Sequence, residues 1–399
     1  MSVSTMCFPR HVFYGKDSLL KTGEETAKLG EKALIISDRI MKDLGYLERC
    51  HQTLEDAGIG YTAYLEVATE PTDEYVSEAL ALLKENQADV VIALGGGSCL
   101  DTAKAVAVLA SNGGDISEYM NNKKTASKHP FPLIAIPTTA GTGSEATDVT
   151  VITNTSNDVK MMIKQPAFMP EIAIVDPALS MSSPKGTTAA TGVDALTHAL
   201  EAYISKKAHP FSDQLALSSA KLIMENMEAA YKDGSNEEAR ENMALGAMQA
   251  GMAFSNASVC LVHGMSRPVG ALFHVPHGIS NAMLLPVVLE YSQDYCTGRL
   301  ADLARFVFPD KKALSDKEAA SYLVEKVLLL CKNLDIPNIK DWGVDEEQYY
   351  SQLSKMAEDA LESGSPANNP IVPDKEEIVK LYHKAFTYQY PKHVISQTN

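Results

Sequence analysis

The apolar period of this 399-residue chain changes once, and that change restricts its architecture more than any other feature. Between Lys32 and Pro177, short β-rich runs alternate with helical stretches. Residues 33–37 have the pattern of a buried strand, followed by an amphipathic stretch to about Gly58. Residues 61–67 read as a second strand, and 72–85 as a helix through Val76, Leu80 and Leu83. A third strand, 89–94, runs directly into Gly95-Gly96-Gly97; 101–109 is helical, and 132–136 and 172–175 are further strands. Such alternation predicts a mostly parallel sheet covered on both faces. After Pro184 only helical spacing remains, over 186–205, 211–231, 237–254, 277–291, 316–334, 346–361 and 374–386. The expected organisation is an α/β domain over residues 1–182 and an all-helical domain over 183–399. A hairpin is expected over 154–171 at the edge of the first domain. No internal repeat or low-complexity segment is visible.

Composition narrows the class of partner. Fifty-one acidic against 35 basic residues give a net charge of −16, which repels a phosphate backbone. The densest basic runs, Asn121-Asn122-Lys123-Lys124 and Lys311-Lys312, read as solvated loops. Neither a signal-length apolar run near Met1 nor an uncharged stretch of membrane-spanning length is present. Six cysteines, scattered without a C-x-x-C pair, read as free thiols in a reducing compartment. The expectation is a cytoplasmic protein that binds neither nucleic acid nor membrane.

Two loops offer ligand chemistry. Gly95-Gly96-Gly97-Ser98 joins a strand to a helix carrying Asp101 and Lys104. Glycines admit close backbone approach, and the first helical N–H groups attract an anion. The turn either cradles a pyrophosphate or is a plain βα connection; it is not G-x-G-x-x-G. Residues 137–145 form a second loop of small and hydroxyl residues, including Thr138, Thr139 and Thr142, at the end of another strand. Open α/β sheets bind ligands at that edge. Asp38, just past the first strand, is placed either to accept hydrogen bonds from a ribose or to cap the next helix.

Metal chemistry is suggested farther on. Asp194 and His198 are four residues apart, so both project from one helical face. His263 and His277 lie in apolar surroundings, each followed by glycine, where a ligating ring meets little crowding. Each histidine alone reads as a satisfied core residue or a helix terminus, whereas one carboxylate and three imidazoles together favour a divalent cation as their shared partner.

Together these residues resemble the iron-containing (group III) alcohol dehydrogenase family, within the dehydroquinate synthase-like superfamily. The resemblance spans nearly the whole chain: Phe8-Pro9, Gly15 and Leu19; the Gly95–Ser98 turn with Asp101 and Lys104; the loop 137–145; the run 189–199; and both histidine segments. It implies an N-terminal α/β nucleotide-binding domain and an all-α metal-binding domain, with the active site in the cleft between them. By that similarity Asp194, His198, His263 and His277 are metal ligands, with Fe(II) the first choice and Zn(II) or Mn(II) next. Asp38, Gly95, Gly96, Gly97, Ser98, Asp101, Thr138, Thr139, Thr142, Lys160 and Leu179 match dinucleotide-contacting positions, and Asp38 favours NAD over NADP. The implied activity is hydride transfer between NAD(H) and a small alcohol or aldehyde, in a homo-oligomer whose pairing edge is the strand-like Val12-Phe13-Tyr14. A dehydroquinate synthase-like lyase and a non-redox metallohydrolase are the competing readings. Net NADH turnover with a simple alcohol separates the first, and NADH binding the second.

The chain departs from the family in two places. A histidine common one helical turn after the first late ligand is replaced by Arg267, leaving His274, or ribose and water, for proton transfer. The late N-P-R tripeptide becomes Asn369-Pro370-Ile371. Arg267 either reads an anionic substituent on the substrate (carboxylate, sulfonate or phosphonate) or pairs with a nearby carboxylate. Phe254 and Cys260, which precede His263, either line the substrate pocket or pack in the core.

Overall fold

A computed structural model describes residues 4–157 and 159–395. Six strands, β1 (His11–Tyr14), β2 (Lys32–Ile36), β3 (Gly60–Tyr64), β4 (Val90–Gly95), β5 (Leu133–Pro137) and β8 (Ile172–Val175), form one sheet in the order β1-β8-β5-β4-β2-β3. Every pairing in it is parallel. Side chains alternate between two separate cores. Leu34, Ile36, Val91 and Ala93 point to one face, while Ala33, Ile35, Ile92 and Leu94 point to the other. Both faces are covered, which is why these strands are near-continuous apolar runs in sequence. Helices α4 (Asp73–Glu85) and α5 (Gly97–Asn112) fill the first face; α3 (Tyr46–Asp56) fills the second, preceded by the short α1 (Thr22–Ala27) and α2 (Arg39–Asp43).

The order of strands reverses beside β2: β3 lies on one side of it and β4 on the other. The carboxyl ends of β2 and β4 therefore diverge into a crevice, the place where open α/β sheets take ligands. The hairpin is real, but its position differs from expectation. Its strands are β6 (Val149–Asn154) and β7 (Val159–Lys164), paired antiparallel as a separate two-stranded sheet. Residues 165–171 instead contain the 3₁₀ turn Pro166–Phe168. Thr150, Ile152, Met161 and Ile163 alternate inward, so burial of this face sets the register.

From Lys185 onward the described residues hold helices and turns: α6 (Lys185–Ile204), α7 (Pro210–Lys232), α8 (Glu237–Ala257), α9 (Leu261–Phe273), α10 (His277–Ser292), α11 (Thr297–Val307), α12 (Asp316–Asn333), α13 (Ile339–Trp342), α14 (Glu346–Glu362), α15 (Lys375–Phe386) and α16 (Lys392–Ile395). Several starts carry side-chain caps, such as Ser315 with Glu318 and Asp374 with Glu377. Four of these were not expected: α9, α11 and the single-turn α13 and α16. Helix α9 contains Pro268 and two glycines, residues that read as breakers rather than as a helix interior. Helix α11 does show the spacing Leu300, Leu303, Ala304, Val307. No single helix among the described residues is long and apolar enough to cross a membrane.

Candidate active site between the sheet edge and the helices

Close approach of backbone builds the sheet-edge side of the site. A Cβ on Gly95 would sit 2.5 Å from Cys99 Sγ, and one on Gly97 would sit 2.8 Å from Thr142 Cγ2. These glycines let the first turn of α5 nest against the neighbouring loop. Gly96 caps α5 without a side chain, so no cap side chain satisfies its first N–H groups, and Gly96 and Ser98 line the crevice. Thr138 N–H donates to Gly95 O at 2.9 Å and ties the two loops together. Asp38 Oδ1 accepts from Met41 N–H at 3.0 Å as a helix cap, and the residue also lines a cavity of about 820 Å³.

Beneath these loops, Lys104 is completely buried. Its Nζ donates to Ser144 Oγ, Thr147 Oγ1 and Val149 O at 2.8–2.9 Å, and burial lowers its pKa to about 8. Asp101 accepts from Ser144 Oγ at 2.6 Å and Val151 N–H at 2.8 Å. The pair fastens α5 to the second loop and to β6.

Three helices converge on the second half of the site. Asp194 and His198 come from α6, His263 from α9 and His277 from the first residue of α10. One ligand atom from each lies within 4.8 Å of all the others. Asp194 Oδ1 is 3.5 Å from His263 Nε2, 3.9 Å from His277 Nε2 and 4.0 Å from His198 Nε2. His263 Nε2 is buried without a hydrogen-bond partner. Burial opposes ionisation of Asp194, but the three imidazoles outweigh it and hold its carboxylate well below the usual range. Burial keeps His198 and His277 neutral, with pKa values near 3 and 4. A converging anion and two neutral imidazoles, with a third ring whose Nε2 lacks a partner, fit a divalent cation.

Neighbouring groups hold the rings in place. Glu201, itself buried, accepts from His263 Nδ1 at 2.7 Å, Cys260 N–H at 2.7 Å and Val262 N–H at 2.6 Å. That bond directs His263 Nε2 toward Asp194. Burial alone would lower the His263 pKa, but the Glu201 and Asp194 charges raise it to about 9. Asn281 Nδ2 donates to Asp194 Oδ1 at 2.6 Å and lies 3.1 Å from His277 Nε2. Glu70 joins the two halves: its carboxylate meets Lys160 Nζ at 3.3 Å and His277 N–H at 3.4 Å. None of Glu201, Asn281 and Glu70 was singled out in the sequence. Glu201 follows Asp194 by seven and His198 by three, and Asn281 follows His277 by four, so helical spacing carried a signal for both. Glu70 has no such signal.

The quartet lines a cavity of about 310 Å³ together with Gly96, Gly97, Ser98, Asp101, Thr139, Thr142, Lys160, Phe254 and Arg267. Gly96, Ser98, Lys160, Glu70 and Pro276 also line the larger cavity, so the two spaces meet at these residues. Phe254 stacks on the His198 ring at 4.3 Å. Arg267 is a wall residue whose guanidinium meets Met162 Sδ at 2.9 Å and Ser363 O at 3.5 Å. Burial lowers its pKa to about 10, so it stays charged at neutral pH.

Other candidates fall elsewhere. Leu179 is fully buried in the core under the sheet, and neither it, Thr138 nor Gly95 lines either cavity. Cys260 packs behind the site against Glu201, because its N–H and thiol both turn toward that residue. His274 caps α9 in a left-handed conformation (φ 52°) and lines the larger cavity, away from the cavity of the quartet.

Comparison with known proteins agrees with this geometry. Residues 9–177 match the family described as iron-containing alcohol dehydrogenase, and residues 188–386 match the C-terminal part of the same family. A 1,3-propanediol dehydrogenase of Citrobacter freundii is 37% identical over 383 residues, 95% of this chain and 97% of its own. A solved structure of 1,3-propanediol oxidoreductase superposes with TM-score 0.92 at 36% identity, covering 96% of this chain and 100% of that one. Sulfoacetaldehyde reductase from Bifidobacterium kashiwanohense, solved in complex with NAD+, superposes with TM-score 0.86 at 28% identity, covering 98% and 100%. With its doubly covered parallel sheet, its helical half and one Asp with three His at the join, the chain belongs to the iron-containing alcohol dehydrogenase family of oxidoreductases.

Proposed function

We propose that this protein is an NAD- and divalent-metal-dependent reductase of small aldehydes, running also as an alcohol dehydrogenase, whose substrate carries an anionic group beside Arg267. The observation that carries the reading is the Asp194–His198–His263–His277 cluster opening onto a cavity that meets the crevice at the sheet edge. A cation held by these residues supplies Lewis acidity to a substrate oxygen, and a nicotinamide cofactor in the adjoining crevice supplies the hydride. The protein's part is placement. The α5 N-terminus and the Thr139–Thr142 loop would hold a diphosphate, Asp38 would accept from a ribose, and Phe254 and Val259 give the cavity an apolar wall. NAD is favoured because the Asp38 carboxylate repels a 2′-phosphate.

The anionic substituent is argued from what Arg267 lacks. Its hydrogen bonds go to a thioether and a carbonyl 3.5 Å away; among the described residues no carboxylate lies within ion-pair distance, and the Glu201 charge acts on it from farther off. A guanidinium in a small cavity is balanced by a carboxylate, sulfonate or phosphonate. The similarity to a sulfoacetaldehyde reductase is in keeping with this. The open flank of β1, with Val12 and Tyr14 exposed, supports pairing with a second copy. The described cysteines are free, in keeping with a reducing, cytoplasmic setting.

Specificity constants for neutral and anionic aldehydes, measured before and after Arg267→His, test the reading. The account expects about a 10- to 100-fold loss for the anionic aldehydes, the scale of a charged hydrogen bond, and little change for the neutral ones. An unaltered enzyme that prefers neutral aldehydes, with that preference unchanged in Arg267→His, contradicts it.

A further inference from the structure

Helix α8 ends on Ser258, whose backbone has φ 70° and ψ 160°. This conformation is almost confined to glycine, since a Cβ is strained there, and it persists only where surroundings enforce it. They do so here. Ser258 N–H donates to Phe254 O at 2.6 Å, and Ala257 O accepts from Ser205 Oγ at 2.6 Å. Ser255 O accepts from Lys164 Nζ, and Asn256 O lies 3.3 Å from His209 Nε2.

The hydroxyl of Ser258 faces a simple constraint. Asn368 Nδ2 lies 3.1 Å from Ser258 Oγ and 3.1 Å from Val259 O. A backbone carbonyl only accepts, so the Asn368 group between them is the NH2, and it donates to both. Ser258 Oγ is thus an acceptor toward Asn368, and its own proton has no acceptor among the described residues. Ser258 lines the same cavity as the His and Asp quartet and Arg267.

We propose that Ser258 is a specificity-determining residue: its hydroxyl donates a hydrogen bond to a second oxygen of the substrate, a hydroxyl or an oxyanion, while the reacting oxygen lies at the quartet. The inference rests on the aldehyde-reductase reading above. It explains why a serine occupies a position where glycine is easier.

The test compares acetaldehyde, glycolaldehyde and sulfoacetaldehyde as substrates for the NADH-driven enzyme and its Ser258→Ala and Ser258→Gly variants. Both variants are expected to lose about tenfold in kcat/KM for the two oxygen-bearing aldehydes relative to acetaldehyde, the worth of one hydrogen bond. Ser258→Gly should also melt above Ser258→Ala, because glycine accepts the positive φ. A ratio unchanged within twofold in the glycine variant, or an alanine variant that melts higher, overturns the proposal while leaving the activity intact. No reduction of any of the three aldehydes by the unaltered enzyme overturns the activity itself, and the role of Ser258 with it.

Discussion

Glu201 shows how one buried side chain settles the behaviour of another. Its carboxylate takes the Nδ1 side of His263, so only Nε2 is left for Asp194 and a shared cation. Glu201→Gln keeps the shape but removes the charge. Metal affinity, measured by chelator competition, should fall about 10- to 100-fold, the usual effect of losing such a support; unchanged affinity would show that packing alone orients the ring. Glu145 belongs to the same scale. It is buried in the second loop, and burial raises its pKa to about 7 despite the nearby Lys104 charge. Its folded pKa exceeds the ordinary 4.5, so its contribution to stability is full below 4.5 and lost as pH rises through 7. Glu145→Gln should therefore gain melting temperature relative to the unaltered protein on going from pH 5 to pH 8. An equal difference at both pH values contradicts the shift. What could be read in advance at this scale was what repeats along a helix. Asp194 and His198 stood out by their spacing, and the same stripe extended to Glu201. Arg267, by contrast, showed only that something unusual was present, because whether a carboxylate faces it depends on residues distant in the chain.

Among the elements, α8 and the second loop approach more closely than side chains permit. A Cβ on Gly251 would lie 2.5 Å from Gly143 O and 2.8 Å from its Cα, with backbone on both sides and nothing able to turn away. Gly251→Ala should cost about 1–3 kcal/mol by overpacking. It should also weaken NADH binding, because Gly143 belongs to the loop that carries Thr142. Denaturant midpoints and fluorescence titration read the two effects; a loss of stability with NADH affinity intact would uncouple the loop from the cofactor. The elements themselves were legible to different degrees. Strands buried on both faces are plain as apolar runs, and β4 ends within a residue of expectation. Helix α9 was invisible because Gly264, Pro268 and Gly270, residues that usually break a helix, lie inside it. The hairpin was misplaced because the polar residues 154–157, taken as its start, are the end of its first strand and the turn after it.

In the whole molecule, the residues proposed for a nucleotide and those proposed for a cation come from different halves. Loops after β2, β4 and β5 line one side of the cleft, and α6, α9 and α10 supply the quartet on the other. Glu70, Lys160 and Pro276 stand where the cavities meet. The division explains why the function class was legible early: each half carries its own local motif, and only their meeting required the fold. It also predicts separable losses. Chelator-treated protein should still bind NADH, within a few-fold of the untreated affinity, while its melting temperature falls by the linkage of metal to the folded state. Failure of both together would place the metal within the nucleotide pocket.

The central claim is that four side chains from three helices grip one cation that the reaction needs. The direct measurement is an anaerobic titration of Fe(II) into chelator-stripped protein, with bound metal per chain and NADH oxidation by an aldehyde followed together. The account predicts that activity returns in proportion to metal and saturates at one equivalent per chain, and that His263→Ala abolishes both. Full activity in the stripped protein, or one tightly bound metal retained in His263→Ala, would contradict it.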